Sequence, residues 1–175
     1  KIVTESVTVP NTPQKGTITV HKTDSETGKP VTEAEAVFEI HAKTDILTGD
    51  GTVRYQAGEL VDTITTKGGS ATSKPLYLGA YIVTEQTAPE GYVLNPEPQE
   101  VTLRYGGQTV ELVTESVTFA NAPQKGQIVV QKNDADSGKP ITASPAVFEI
   151  RAKTDIMTAD GTVRYKAGEL VDTIT

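Results

Sequence analysis

Three polar residues continue apolar rows of predicted strands, and their side chains are an amine, a carboxyl group and a carboxamide. Each follows, at a spacing of two, apolar residues on the same strand face: Ile18 and Val20 before Lys22, Tyr81 and Val83 before Glu85, and Val117 and Phe119 before Asn121. Because the apolar face of a strand packs inward, these three groups are expected to meet in one buried site.

An amine, an acid and a carboxamide held together away from water can form an amide bond. Desolvation disfavours the charged forms of buried amines and carboxyl groups, and a neutral amine is a nucleophile. A protonated Glu85 could hydrogen-bond to the Asn121 carbonyl, make its carbon more electrophilic and transfer protons. Attack by Lys22 with loss of ammonia would leave a Lys–Asn isopeptide bond, with proximity supplied by the fold. The reaction needs no cofactor and occurs once, so the protein is not expected to be an enzyme.

Each of the three residues also has an ordinary interpretation when taken alone. Lys22 could extend to solvent from a strand end, and Glu85 could lie at a solvated strand end. Asn121, close to Pro123, could belong to a turn. The shared-site hypothesis depends on all three residues occurring in the same pattern.

The segments that would position these residues are short strands separated by turns rich in Gly, Pro, Asp and Ser. Strands are predicted at 16–22, 36–42, 52–55, 59–66, 76–86, 100–105 and 109–120. Gly106-Gly107 is a hairpin signal between the last two, and no segment has a sustained helical period. The predicted fold is an all-β, Greek-key β-sandwich.

The chain contains an internal repeat. Residues 1–65 align without a gap to residues 111–175, and 45 of the 65 pairs are identical. The repeat unit of about 110 residues is a normal size for one β-sandwich domain. The Pro- and Gly-containing segment 11–16 recurs at 121–126 and reads as a linker.

Division at these linkers predicts three parts. Residues 1–13 are expected to be the last strand of a preceding repeat, 14–123 a complete domain, and 124–175 the first half of the following repeat. The sequence is therefore expected to be an internal piece of a longer tandem array.

Composition narrows the classes of partner. The chain of 175 residues has a net charge of −7, which argues against nucleic acid or an anionic membrane as a partner. Cysteine is absent, so disulfides and most soft-metal sites are excluded. Asp45, Asp50 and Asp62 fit no calcium-loop spacing and are expected to be solvated turn carboxylates. No metal site is predicted, and no apolar run is long enough to span a membrane.

Three segments resemble the Cna-B, or SpaA-type prealbumin-like, domains of Gram-positive surface proteins and pilins. They are Lys15-Gly-Thr-Ile-Thr-Val-His-Lys-Thr-Asp24, Tyr81-Ile-Val-Thr-Glu-Gln-Thr-Ala-Pro-Glu-Gly-Tyr92 and Val117-Thr-Phe-Ala-Asn121. The second resembles the pilin "E box", Y-x-L-x-E-T-x-A-P-x-G-Y, with Val83 in place of Leu and Gln86 in place of Thr. The resemblance extends over 14–123 and both flanking fragments.

The resemblance implies an intramolecular Lys22–Asn121 isopeptide bond with Glu85 as its catalyst. In the flanking fragments, Lys132 would bond to an Asn beyond residue 175, and Asn11 to a Lys before residue 1. The implied function is that of a stalk repeat in a cell-surface adhesin or pilus-like fibre. Its location would be extracellular, with the cell-wall anchor elsewhere in the protein.

Two other functions remain open at this point. The domain could be an adhesive module that binds a host protein or glycan through the loops 43–58 and 66–75. It could instead be a fibre subunit in which a head-to-tail neighbour completes residues 124–175. The favoured partners are neighbouring repeats of the same chain.

Overall fold

Strands make up the regular structure of this protein. The computed structural model describes residues 2–175. The strands are β1 (Lys15–Asp24), β2 (Val37–Ala42), β3 (Ile46–Leu47), β4 (Val53–Tyr55), β5 (Leu60–Thr65), β6 (Ser70–Thr72), β7 (Leu76–Tyr77), β8 (Gly79–Thr87), β9 (Gln99–Leu103), β10 (Leu112–Asn121), β11 (Phe148–Arg151), β12 (Ile156–Met157), β13 (Val163–Tyr165) and β14 (Leu170–Ile174). The predicted all-β class is confirmed. Residues 2–175 include no helix long and apolar enough to cross a membrane.

Two sheets enclose the core of a β-sandwich and contain every strand from β1 to β10 except β3 and β4, which pair only with each other. One has the order β5-β2-β8-β9, and the other has the order β10-β1-β6 with β7 also paired to β1. Strand β2 shows the expected period of two, because alternate residues are buried. The inward side chains include eight that are at most 1% exposed: Ile18, Val20, Phe38, Ile40, Tyr81, Val83, Leu103 and Phe119.

The first and last strands of the sandwich lie side by side and run parallel. β1 pairs with β10 over its whole length, with Lys22 opposite Phe119 and Asp24 opposite Asn121. Gly16 allows this close approach, since a Cβ there would lie 2.5 Å from the Val113 side chain. The chain therefore enters at one end of the β1–β10 pair and leaves at the other.

The hairpin predicted at Gly106-Gly107 is wrong. β9 pairs with β8 in one sheet, whereas β10 pairs with β1 in the other. The glycine-containing segment is a crossing between sheets, with a turn closed by Val110 N donating to Gly107 O at 3.3 Å. This crossing places Phe119 and Asn121 against the core beside β1.

Identical sequences adopt different structures in the two copies of the repeat. Residues 113–118 belong to β10, but the same six residues at 3–8 form no strand. The corresponding but not identical segments 17–23 and 127–133 show the same difference, because 17–23 belong to β1 whereas 127–133 form no strand. Strand formation here depends on a neighbour, because β10 and β1 are each other's partners. The later copy does reproduce two local pairings, β11 with β14 and β12 with β13, which correspond to β2 with β5 and β3 with β4.

Candidate cross-linking site

The structure brings Lys22, Glu85 and Asn121 together inside the sandwich. They lie on β1, β8 and β10 and are 0%, 2% and 1% exposed. Lys22 Nζ is 3.8 Å from Glu85 Oε1, and Asn121 Nδ2 donates to Glu85 Oε2 at 2.7 Å. Each residue continues the inward row of its strand, as the alternation of the sequence predicts.

The Lys22 amine lies among backbone carbonyl groups. Its Nζ donates to Phe119 O at 2.8 Å and to Thr23 O at 3.4 Å. Desolvation lowers the pKa of this amine from 10.5 to about 8, and the negative charges of Glu85 and Asp24 oppose the shift. The neutral form of this amine is therefore more accessible than that of an ordinary lysine.

Glu85 has one satisfied oxygen and one that lacks a partner. Oε2 accepts from Asn121 Nδ2 and from the Asn95 backbone N–H at 2.9 Å. Among the described residues, Glu85 Oε1 and Asn121 Oδ1 are buried oxygens without a hydrogen-bond partner. The carboxamide thus presents its nitrogen to Glu85, whereas the sequence analysis placed its carbonyl there. Two buried acceptors without donors in one site are unusual.

Two phenylalanine rings cover the polar groups. Phe38 lies opposite Glu85 in the β2–β8 pairing, and Phe119 lies opposite Lys22. Their ring centroids are 4.9 Å apart, and both side chains are fully buried. Both rings belong to the core beside which the site is buried, and electrostatic interactions are stronger away from water. Sequence alternation identified both as core residues but not as neighbours of the polar groups.

The turn after β8 holds the end of β10 against the site. Gly91 adopts φ = +81°, which favours glycine. Its carbonyl accepts from Gln124 N at 2.7 Å, and Val93 N donates to Ala122 O at 2.9 Å. Asn95 Nδ2 donates to Ala120 O at 3.3 Å. The segment that begins with Tyr81 therefore supplies Glu85 and also fixes Asn121 through the backbone around it.

Asp24 is a buried residue of this region that the sequence analysis missed. Its Oδ1 accepts from the Glu26 and Thr27 amides, and its Oδ2 accepts from the Tyr92 hydroxyl at 3.0 Å. Desolvation raises the pKa of Asp24, but these hydrogen bonds and the nearby Arg164 outweigh it and lower the pKa overall. Burial, together with the bond to Asp24, raises the pKa of Tyr92 to about 12. The sequence Asp-Ser-Glu-Thr at the end of β1 is typical of a turn that is capped by its own aspartate, and this pattern could have identified Asp24.

The remaining predicted residues lie elsewhere. Asn11 and Lys132 are exposed, and their proposed partners fall outside residues 1–175, so those cross-links stay predictions. Asp45, Asp50 and Asp62 accept hydrogen bonds from nearby backbone amides. Within residues 2–175, no group of three His, Cys, Asp or Glu side chains is arranged to hold a metal ion.

Comparison with known proteins identifies the fold family. A family model described as a prealbumin-like fold domain, SpaA, matches residues 16–118. None of the curated proteins compared with the chain matches it.

Solved structures that resemble the chain include three pilus proteins. The T6 backbone pilin of serotype M6 Streptococcus pyogenes is 29% identical, with 50% of this chain and 16% of that chain covered and a TM-score of 0.39. The pilus 2b backbone protein of group B streptococcus is 26% identical, with 62% and 41% covered and a TM-score of 0.43. The major pilin SpaA of Corynebacterium diphtheriae is 21% identical, with 62% and 30% covered and a TM-score of 0.44.

The chain thus spans less than half the length of each of these proteins. The assignment to a family comes from the matched family model, which covers β1 to β9 and most of β10. The chain belongs to the SpaA family of prealbumin-like fold domains.

Proposed function

We propose that this protein is a stalk repeat of an extracellular fibre or adhesin, locked by a self-catalysed isopeptide bond between Lys22 and Asn121. The observation that carries the proposal is the convergence of Lys22, Glu85 and Asn121, at most 2% exposed, from three separate strands. A structural role alone does not account for the arrangement, because buried ionisable groups cost stability unless they are fully paired.

The surroundings of Lys22 suit a nucleophile. A neutral amine has two N–H groups and one lone pair. The carbonyls of Phe119 and Thr23 match the two N–H groups, which leaves the lone pair for another atom. The lowered pKa of Lys22 makes this neutral form available at moderate pH.

The reaction that we propose balances without a cofactor. The Lys22 lone pair attacks Cγ of Asn121 while Glu85, in its protonated form, donates its proton to the developing oxyanion. Glu85 then carries a proton from Lys22 Nζ to Nδ2 of Asn121. Collapse of the tetrahedral intermediate breaks the Cγ–Nδ2 bond and re-forms the carbonyl, whose hydroxyl proton returns to Glu85. The products are a secondary amide and ammonia, and Glu85 ends as it began.

The proposed reaction needs the carbonyl oxygen of Asn121, in place of its nitrogen, to face Glu85. Rotation of the Asn121 carboxamide by 180° would turn Oδ1 toward Glu85. A protonated Glu85 would then donate to this oxygen, and the buried acceptor of Asn121 that now lacks a partner would be satisfied. This is also the geometry that polarises the carbonyl for attack.

The position of the proposed bond suits a load-bearing repeat. It would join β1 to the end of the parallel β10 and close a loop of about 100 residues, which by analogy with disulfides contributes about 4–5 kcal/mol. A pulling force would then pass from β1 to β10 through one covalent bond, and the strands between them would stay folded. The chain has no cysteine, so this bond would take the place of disulfides.

We also propose that the chain is divided into residues 1–13, 14–123 and 124–175, as part of a tandem array. The pairing of β1 with β10 supports this division. Residues 3–8 correspond to part of β10 and residues 127–133 to part of β1. Neither segment forms a strand, because the described residues contain no counterpart of its partner strand. The proposed array lies outside the cell, attached to the cell wall by another part of the protein.

The adhesive alternative has less support. Loop 43–58 is nearly unchanged in the second copy, as 153–168. In that copy, residues of the loop contact the first copy of the repeat. Contact between copies is therefore a competing role for the surface that a host ligand would need.

Intact mass spectrometry of the full chain tests the cross-link. The folded protein should be lighter than its sequence mass by one ammonia, and fragmentation should join the peptide of Lys22 to that of Asn121. Lys22→Ala and Glu85→Ala should restore the full mass. Lys132→Ala is the matched control, since the same lysine of the second copy is exposed, and it should leave the mass loss unchanged. An unmodified mass from protein that unfolds cooperatively would overturn the proposal.

A further inference from the structure

The two copies of the repeat touch through a defined joint. On one side is the acidic turn, residues 24–29, which follows β1. On the other side is the docking hairpin, residues 156–165, which contains β12 and β13 of the second copy. This joint lies beside the cross-linking site but uses different atoms.

A cluster of ion pairs lies at the centre of the joint. The Arg164 guanidinium donates from Nη2 to Asp24 Oδ2 at 2.8 Å and from Nη1 to Glu26 Oε2 at 2.9 Å. Asp24 is fully buried, and the Arg164 side chain is 23% exposed. Lys125 Nζ adds a second cation 2.8 Å from Glu26 Oε1. A planar guanidinium that binds two carboxylates fixes orientation better than a single point charge.

Uncharged hydrogen bonds surround this ionic centre. The Ala159 carbonyl accepts from the amides of Thr32 and Glu33, each at 3.0 Å. Thr27 Oγ1 donates to Asp160 Oδ2 at 2.6 Å. Several directional bonds from one hairpin define a single relative position of the two copies, which an isolated surface ion pair would not do.

The docking hairpin has the same internal structure when it is not docked. In the first copy, Asp50 accepts from the Thr48 hydroxyl at 2.6 Å and from the Thr52 hydroxyl at 2.8 Å. The second copy repeats both bonds around Asp160, at the same two distances. The hairpin is therefore formed before it docks, and little conformational entropy is lost on contact.

The two hairpins differ in the partner of their arginine and in the burial of their aspartate. Arg54 Nη2 is 3.7 Å from Asp50 of its own hairpin, whereas Arg164 reaches across to the acidic turn. Asp50 is exposed and Asp160 is buried. Two hairpins that differ only at Leu47/Met157 and Gly49/Ala159 are thus free in one copy and docked in the other.

We propose that this joint is the general contact between successive copies of the repeat, in which the hairpin of the later copy docks on the acidic turn of the earlier copy. The proposal rests on the tandem array proposed above and adds how its members are held. The free hairpin around Arg54 would dock on a preceding copy, and the turn at residues 134–139 would receive a following one.

The sequence supports a further copy of this repeat as the partner of both free surfaces, which are the hairpin around Arg54 and the turn at residues 134–139. The second turn keeps the chemistry of the first, with Asp134 for Asp24, Asp136 for Glu26 and Ser137 for Thr27. An aspartate can pair with arginine as a glutamate does, and a serine hydroxyl can donate as a threonine hydroxyl does. Asp134 already caps its own turn through the Ser137 amide, as Asp24 does through the Thr27 amide.

Amide hydrogen exchange in the full chain tests the joint. Arg164→Glu places a carboxylate against Asp24 and Glu26, so exchange at the Thr32 and Glu33 amides should accelerate by about tenfold or more. Arg54→Glu is the matched control, because it makes the same change in the free hairpin, and it should leave those two amides unchanged. Protection of Gly161 N, which bonds within the docking hairpin, should persist and shows that the hairpin is intact.

Extension of the full chain by a further copy of residues 66–175, which continues the repeat in register, tests recurrence. The Thr142 and Ala143 amides correspond to Thr32 and Glu33 but make no backbone hydrogen bond in the described part of this chain. In the extended chain they should become as protected as their counterparts. Equal exchange in Arg164→Glu and Arg54→Glu, or unprotected Thr142 and Ala143 in the extended chain, would overturn the proposal. If Arg164→Glu still loses the mass of one ammonia, its cross-link has formed. A failure of the joint can then be distinguished from a failure of the cross-link.

Discussion

Lys22 lies directly opposite Phe119 in the parallel β1–β10 pair, and its amine donates to the Phe119 carbonyl at 2.8 Å. The Lys22 amine therefore lies beside β10, on which Asn121 is two residues beyond Phe119. Because the strands are parallel, both side chains lie at the same end of the sandwich, where the turn after β8 brings in Glu85.

Glu85→Gln tests the role of the acid. Glutamine keeps the shape of the side chain but cannot transfer a proton. Cross-linking after refolding should slow by about a hundredfold or more, in the range attributed to general acid–base catalysis. The measurement is the fraction of ammonia lost against time by intact mass. Glu100→Gln, an exposed substitution on β9, should react like the unchanged protein, and an unchanged rate in Glu85→Gln would exclude the proton-transfer role.

The pH dependence of the free energy of unfolding should reveal the buried amine of Lys22 in a variant that cannot form the cross-link. Burial lowers the pKa of Lys22 from 10.5 to about 8, and in Asn121→Ala the amine should stay buried and keep this lowered pKa in the folded state. Between these values the unfolded chain binds more protons, so the free energy of unfolding should rise with pH by about 3 kcal/mol in total. Below about pH 8 this contribution should be flat.

Denaturant unfolding at a series of pH values measures this effect. The cross-linked protein should lack the rise, because its Lys22 is an amide. The double variant Lys22→Met with Asn121→Ala should also lack it. A rise of equal size in all three proteins would assign it to other groups.

Phe38→Ala should open the site to water. Loss of a fully buried phenylalanine costs about 3–5 kcal/mol, and hydration of Lys22 should raise its pKa toward the ordinary value. Both stability and the rate of cross-linking at neutral pH should therefore fall. Phe148→Ala is the matched control, since Phe148 is the same residue in the second copy, where it is only partly buried. Cross-linking as fast in Phe38→Ala as in that control would show that the aromatic cover is not needed.

Mechanical unfolding by single-molecule force spectroscopy should distinguish the locked and unlocked sandwich. In Asn121→Ala, force applied beyond β1 and β10 should release roughly 330–360 Å of chain, from about 100 residues at full extension. In the cross-linked protein this release should be absent. A full-length release from protein whose mass shows the cross-link would contradict the proposed load path.

The sequence predicted the burial of the three polar side chains better than the connections around them. Lys22, Glu85 and Asn121 were found because strand alternation is local and each residue continues an inward row. The pairing of β10 with β1 was missed at Gly106-Gly107, because a turn signal does not specify which sheet the next strand joins. That choice depends on contacts between residues about 100 positions apart.

Other parts of the site were harder to predict from the sequence. Asp24 was read as one polar residue of a turn, although Tyr92 and Arg164 both bind it. Those partners lie 68 and 140 positions away, beyond the range of any local pattern. The two copies of one six-residue sequence, 3–8 and 113–118, show the same limit, since only the copy with a neighbouring strand becomes part of a sheet.

The parallel β1–β10 pair also gives each unit a head and a tail. The polypeptide arrives at Lys15 and departs at Asn121, one strand length away, which for the 10 residues of β1 is about 33 Å at the usual rise per residue. Each further unit would add a similar increment in the same direction instead of folding back. The reach of such a molecule would then scale with how many times its coding segment is duplicated, without any new surface having to evolve.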